Sequence, residues 1–326
     1  MTDILLLILG LGLILVGANY LIDGASAIAK RFGISDFIIG MTIVGIGTST
    51  PEMVVSFISA AQGNADIAVG NIVGSNIFNI LMILGVTAII LPLPLTRNNI
   101  KKDIPFALLA VFSLIAAGAD IMLDKAAANI LSRTDGLLLL ALFGVFMAYT
   151  IYSAQSGTKA VKQTDSSNNG NVSKPVWIAA LMVIGGLAGL VCGGDLFVAS
   201  ASSIAKMLGV SDAVIALTIM AGGTSLPELA SCIAAALKKN SDLALGNVVG
   251  SNIANIFLIL GGSAVIHPLN MNNMSVIDMG TLALATILLF ITAFTFKKKT
   301  IDRVEGVIFI LIYIGYVIFT IHNSVA

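Results

Sequence analysis

The stretch Val44 to Ser56, "VGIGTSTPEMVVS", sets a proline and an ionisable glutamate, Pro51 and Glu52, between the apolar runs "FIIGMTIVGIG" and "MVVSFISAA". Met220 to Ser231, "MAGGTSLPELAS", repeats the arrangement with Pro227 and Glu228. A proline inside a helix removes an N–H donor, and its ring clashes with the carbonyl four residues earlier. Pro51 therefore predicts a break that frees the carbonyl of Gly47, and Pro227 one that frees Gly223. Irregular backbone at membrane depth is tolerated only where protein covers it or it lines a cavity.

Working outward, the composition is that of an integral membrane protein. Of the 326 residues 57% are hydrophobic and 10% charged, and the mean hydropathy is +1.02. Soluble domains average about a quarter charged residues. Ten apolar stretches long enough to cross a bilayer run over 4–22, 37–61, 67–92, 104–123, 136–153, 176–198, 213–237, 243–266, 276–296 and 304–321. The start "MTDILLLILG" has no basic segment ahead of its apolar run and reads as a retained span. Cys192 and Cys232 read as small buried residues, with no disulfide or metal cluster, and Trp177 as an interfacial anchor.

The chain is built twice. Sliding it by 176 positions lays Gly40–Gly85 on Ala216–Gly261 without a gap, and half of the paired positions are identical. Five spans precede the polar segment 153–174 and five follow it, so the second half is inverted, the arrangement of secondary transporters. The expected organisation is a first repeat over 1–153, a flexible cytoplasmic loop over 154–175 and a second repeat over 176–326. With the N-terminus outside, the cytoplasmic connections carry 14 Lys and Arg residues and the external ones 3. Basic residues are retained on the cytoplasmic side, so both termini are expected outside.

A charge at the centre of a span costs about 2.5 to 3.5 kcal/mol, and no lysine or arginine lies at the depth of Glu52 and Glu228 to offset it. The expected partner is a cation from outside the chain. Thr42, Ser49, Glu52, Ser56 and Ser59 follow helical spacing on one face, as do Thr218, Ser225, Glu228 and Cys232. The next spans carry "GNIVGSNIFNI", 70–80, and "GNVVGSNIANI", 246–256, in which Asn71, Ser75 and Asn79, and Asn247, Ser251 and Asn255, recur every four residues. The glycine pairs Gly70/Gly74 and Gly246/Gly250 have the spacing that lets membrane helices pack closely. Together the halves supply carboxylates, hydroxyls, amides and freed carbonyls, an all-oxygen site of formal charge minus two. Ca²⁺ accepts six to eight such ligands in loose geometry, whereas softer metals call for His or Cys. Calcium fits best, and sodium can use the same oxygens.

These residues, "GTSTPE" with "GNIVGSNIFN" and "GTSLPE" with "GNVVGSNIAN", resemble the α-repeats of sodium/calcium exchangers in the calcium/cation antiporter superfamily. The resemblance implies an all-α membrane protein of ten transmembrane helices in two inverted five-helix repeats, with broken helices at the ion site. It implies antiport of three Na⁺ for one Ca²⁺ by alternating access, with Glu52 and Glu228 shared between ions. It further implies Thr48, Ser49, Ser75, Thr224, Ser225 and Ser251 as ligands, the carbonyls of Gly45 and Ala221 near sodium, and Asn79 and Asn255 near the centre. The first and sixth spans would slide across the other eight. Some exchangers, and the potassium-dependent ones, carry an acid near the position of Asn255, so its amide argues against potassium coupling. A Ca²⁺/H⁺ antiporter is the alternative. A passive channel is disfavoured by the enclosed, duplicated site, and an intramembrane hydrolase by the lack of a base near Ser49. No enzyme activity, organic cofactor or nucleic-acid partner is expected, and the prokaryotic plasma membrane is the expected location.

Overall fold

The computed structural model describes residues 2–161, 175–208, 221–272, 274–295 and 299–325. Helix α1 (Thr2–Phe32) runs well past the apolar stretch that announces it, through the polar turn "LIDGASAIAKRF". It stops at Gly33, whose left-handed φ of 65° closes a helix at no steric cost. The second span is broken as the proline requires: α2 (Asp36–Thr48) and α3 (Thr50–Ala61) meet at a 46° bend, with Pro51 in the first turn of α3. Then follow α4 (Ala65–Ile90), α5 (Ile104–Ala117), the short exposed α6 (Asp120–Asp124), α7 (Arg133–Val161) and α8 (Val176–Met207). The seventh span appears as a helical turn, Ala221–Gly223, and α9 (Leu226–Leu237), with Pro227 in its first turn. Its expected start at 213 lies outside the described residues, as does Thr218. Helices α10 (Ser241–Ile266), α11 (Val276–Ile291) and α12 (Arg303–Val325) complete the set, giving a helical segment in each of the ten expected spans; among the described residues six helices, or seven with α2 and α3 as one bent span, are by themselves long and apolar enough to cross a membrane.

The expected fourth span, 104–123, is shifted. Its helix begins with a π-helical turn at Asn99–Asp103 and ends at Ala117, where Gly118 caps it and α6 begins a separate piece. Cys192 is exposed on α8, not buried, whereas Cys232 is buried. The outer face of a lipid-facing helix accepts a small apolar residue as readily as the core does.

Inversion is visible in how the first span of each half packs. A β-carbon on Gly10, Gly17 or Gly24 of α1 would come within 2.9 Å of the carbonyl oxygens of Gly193, Gly186 and Ala179 on α8, so the two helices run antiparallel with backbones in contact. Spans two and eight run in the same direction, Gly40 lying against Leu243 and Gly45 against Asn247. The centre belongs to α4 and α10, whose apolar windows are 72% and 94% buried, against 17% to 28% for α1, α7, α8 and α12. Those four face lipid.

Two reciprocal stitches join the halves. Two-residue strands β1 (Leu93–Pro94) and β4 (Thr300–Ile301) pair antiparallel, as do β2 (Ile130–Leu131) and β3 (Leu269–Asn270). Arg133 donates from Nε to the Val265 carbonyl at 3.2 Å, and Arg303 to that of Ile89 at 3.1 Å. Each cation thus sits at the C-terminal end of a central helix of the other half, where the helix dipole favours it. Val265 is the counterpart of Ile89 when the 176-residue shift is continued, so the duplication of contacts extends to the fifth and tenth spans.

Candidate ion-binding site

The two breaks bring Glu52 and Glu228 into the core, both with no exposed surface. Each carboxylate is held chiefly by hydroxyls of the opposite half. Ser225 donates from Oγ to Glu52 Oε1 at 2.9 Å, and Ser49 donates to Glu228 Oε1 at the same distance. Thr224 stands beside Glu52, and Thr48 and Ser251 stand beside Glu228. Ser75 completes the set with a bond to Glu52 Oε1 at 3.3 Å. Ser251 instead donates to the Gly45 carbonyl at 3.0 Å. Thr48 reaches Asn247 Oδ1 at 3.2 Å and Thr224 reaches Asn71 Oδ1 at 3.4 Å. Ten of the expected residues are thereby linked in one buried region once Asn79 and Asn255 are added below. Gly45 joins it by its carbonyl. Ala221 opens the helical turn that leads to Thr224, directly after residues outside the described set.

The Gly47 carbonyl accepts the Thr50 hydroxyl at 2.6 Å. Helix α8 lays the Leu187 side chain against Gly47 and the Val198 side chain against Gly223, so a β-carbon at either position would have to displace a side chain of α8. Likewise a β-carbon at Gly246 or Gly250 would overlap the carbonyl oxygens of Phe37 and Met41. One residue of the expected stripes falls away, since the Thr42 hydroxyl donates to Ile38 of its own helix at 2.8 Å; Ser56 donates to the Ala68 carbonyl at 3.4 Å and accepts from Asn71 Nδ2 at 3.0 Å, which joins it to the Thr224 contact.

Asn79 and Asn255 lie at the start of π-helical turns, Phe78–Ile83 and Asn255–Leu260. Such widened turns are common at functional sites, where they re-aim a side chain. The first turn packs against α9, which carries Glu228, and the second against α3, which carries Glu52. Spacing alone singled out the residues four apart and missed Asn76 and Asn252, which lie about 100° around the helix from that stripe. Both are buried, and they tie the two π turns together across the halves. Asn79 donates from Nδ2 to Asn252 Oδ1 at 3.1 Å, Asn255 to Asn76 Oδ1 at 2.9 Å, and Asn76 to the Asn252 carbonyl at 3.2 Å. Their presence in both "GSNI" segments was the available signal.

Four buried side-chain oxygens here accept no hydrogen bond: Glu52 Oε2, Glu228 Oε2, Asn79 Oδ1 and Asn255 Oδ1. They are two pairs of counterparts. An unsatisfied buried acceptor is costly, and this donor set is oxygen only, so it suits hard cations. Among the described residues no group of three or more His, Cys, Asp or Glu is placed to hold a metal ion, so carboxylates alone would not make the coordination sphere. A cavity of about 930 Å³ opens elsewhere, beside Asp36, Asp103, Tyr149 and Asp242, and none of the twelve expected site residues lines it.

The chain matches the family description sodium/calcium exchanger protein over residues 2–152 and 178–322. It is 33% identical to the sodium/calcium exchanger MaX1 of Methanosarcina acetivorans, with 97% of each chain covered. To the inner membrane protein YrbG of Escherichia coli it is 36% identical over 273 residues, covering 81% of this chain and 79% of that one. Among solved structures it is similar to the sodium-calcium exchanger NCX_Mj soaked with Na⁺ and Ca²⁺, with a TM-score of 0.79 and 34% identity over 96% of this chain and 97% of that one. The duplicated Pro-Glu breaks, the inverted halves and these likenesses agree, and the chain belongs to the sodium/calcium exchanger protein family.

Proposed function

We propose that this antiporter exchanges Na⁺ for Ca²⁺ by alternating access, with both ions bound between Glu52 and Glu228. The observation that carries the reading is the set of four buried acceptor oxygens without a donor, two carboxylates and two amides, paired by the repeat. Hydroxyls of Thr48, Ser49, Ser75, Thr224, Ser225 and Ser251 and the carbonyls of Gly45 and Ala221 supply the remaining oxygens. One Ca²⁺ neutralises the two carboxylates. Sodium ions neutralise them one at a time and spread over the neutral oxygens on either side. Competition for the same two charges couples the fluxes, because calcium and a full complement of sodium would overload a site of charge minus two.

The repeats 1–153 and 176–326 are the two halves of this machine, with 154–175 as the cytoplasmic connection. Calcium uptake into proteoliposomes, measured with and without an opposing sodium gradient, tests the reading. Uptake driven by outward sodium and indifferent to potassium is expected. Uptake driven by a proton gradient in sodium-free medium would replace sodium with protons as the coupling ion.

A further inference from the structure

An amide is a cation ligand only when its oxygen, and not its nearly isosteric NH₂ group, faces the ion. Asn79 and Asn255 each have one amide edge committed. Asn79 gives its NH₂ to Asn252 Oδ1, and Asn255 gives its NH₂ to Asn76 Oδ1. In both, the oxygen is left buried and without a donor. Both acceptors are buried, Asn76 at 0% and Asn252 at 4% exposure, and the Asn76 amide is fixed by donating its NH₂ to the Asn252 backbone carbonyl. The bonds cross from one half to the other, joining the two most buried helices, α4 and α10.

We propose that Asn76 and Asn252 are positioning residues of the ion site, each locking the amide of its partner in the other repeat with the oxygen turned toward the ion. This rests on the site assigned above and extends it to two residues that touch no ion. Without the lock, an Asn79 or Asn255 side chain would be free to turn its NH₂ inward, where a donor repels a cation and seeks the carboxylates instead. The unlocked amide is therefore worse than none. Outer-shell partners that orient a ligand typically account for 10- to 100-fold in metal affinity.

The test is a double-mutant cycle read by Ca²⁺ binding to the purified full chain, which does not depend on the counter-ion. Asn252→Ala and Asn79→Ala should each weaken Ca²⁺ binding by about tenfold or more. The double variant should be no weaker than Asn252→Ala alone, since nothing then remains to be misoriented. Asn76→Ala with Asn255→Ala gives a second, independent cycle should either variant of the first fail to fold. Additive losses within the Asn79/Asn252 and Asn76/Asn255 pairs, or wild-type affinity in Asn252→Ala and Asn76→Ala, would overturn the proposal. Failure of the wild-type chain to bind Ca²⁺ would instead remove the calcium site itself, and the orientation proposal with it.

Discussion

At the residue scale, the site is defined by crossed hydroxyl-to-carboxylate bonds: each half's serine serves the other half's glutamate. Removing one charge while keeping the shape, in Glu52→Gln or Glu228→Gln, leaves minus one to face a divalent ion. Losing one member of a buried charge pair costs about 2 to 5 kcal/mol, so sodium-driven calcium uptake should fall at least about thirtyfold while the protein still inserts and purifies. Uptake near the wild-type rate in either variant would mean that the site lies elsewhere. Ser49→Ala and Ser225→Ala each remove a 2.9 Å bond to a carboxylate, at about 1 to 3 kcal/mol where the oxygen is left unpaired. Glu52 Oε1 keeps the Ser75 hydroxyl at 3.3 Å, so Ser225→Ala should lose less calcium affinity than Ser49→Ala. Thr42→Val is the control from the same helical face, because its hydroxyl is spent on the Ile38 carbonyl; its uptake should not change. Equal damage from Thr42→Val and Ser49→Ala would show that any polar residue near the break matters and that the crossed bonds carry no special weight.

At the scale of elements, close packing decides what can be aimed at the site. Gly250 and Gly246 let α10 lie against the carbonyls of α2, and that contact sets the Gly45 carbonyl 3.0 Å from the Ser251 hydroxyl. Gly250→Ala adds one methyl group to a helix already in contact with backbone, which cannot yield as a flexible side chain would. It should cost about 1 to 3 kcal/mol of stability and impair calcium binding without removing any candidate ligand, both measurable on the purified protein as a lower unfolding temperature and a weaker affinity. Full affinity together with normal stability would show that α2 can shift freely. Much of this level was legible beforehand. Proline position announced the bends, and the four-residue spacing of Asn71, Ser75 and Asn79 announced the polar face. What spacing could not announce was contact across the halves. Nothing along the chain says that Leu187 sits on Gly47, that Asn76 accepts from Asn255, or that Arg133 reaches the end of α10 at Val265, because such pairs are set by how two helices cross and not by the period of either one. The π turns escaped for a related reason, since one extra residue in a turn leaves hydropathy unchanged.

For the whole molecule, the two halves are alike in sequence but not in contact. Helix α1 packs along α9 and is tied to it by Lys238, which reaches Asp23 at 2.7 Å and the Asn19 carbonyl at 3.2 Å. The counterparts of Asp23 and Lys238 in the other half are Ala199 and Gln62, and α8 has no comparable packing along α3. One end of the molecule thus carries an ion pair between α1 and α9 whose counterpart residues in the other half, Ala199 and Gln62, carry no charge. The side of the membrane that this end is expected to face follows from the basic residues. Fourteen of the 17 Lys and Arg residues fall in one set of connections, and a single missing span would have scattered them between both sets. Retention of basic loops in the cytoplasm leads to the expectation that Asn98, between the third and fourth spans, lies inside and Ala127, between the fourth and fifth, outside. Both positions are exposed. In a Cys192→Ser background, which removes the exposed native thiol and leaves only the buried Cys232, Asn98→Cys and Ala127→Cys should react with a membrane-impermeant thiol reagent from opposite faces of the bilayer, Ala127→Cys from outside in intact cells and Asn98→Cys only after lysis. Labelling of both from one face would be incompatible with a fourth span between them, and with it the odd number of crossings that turns one half upside down against the other. The reverse pattern would keep the fold and invert the molecule, and the end that carries Lys238 and Asp23 would then face outward instead of the cytoplasm.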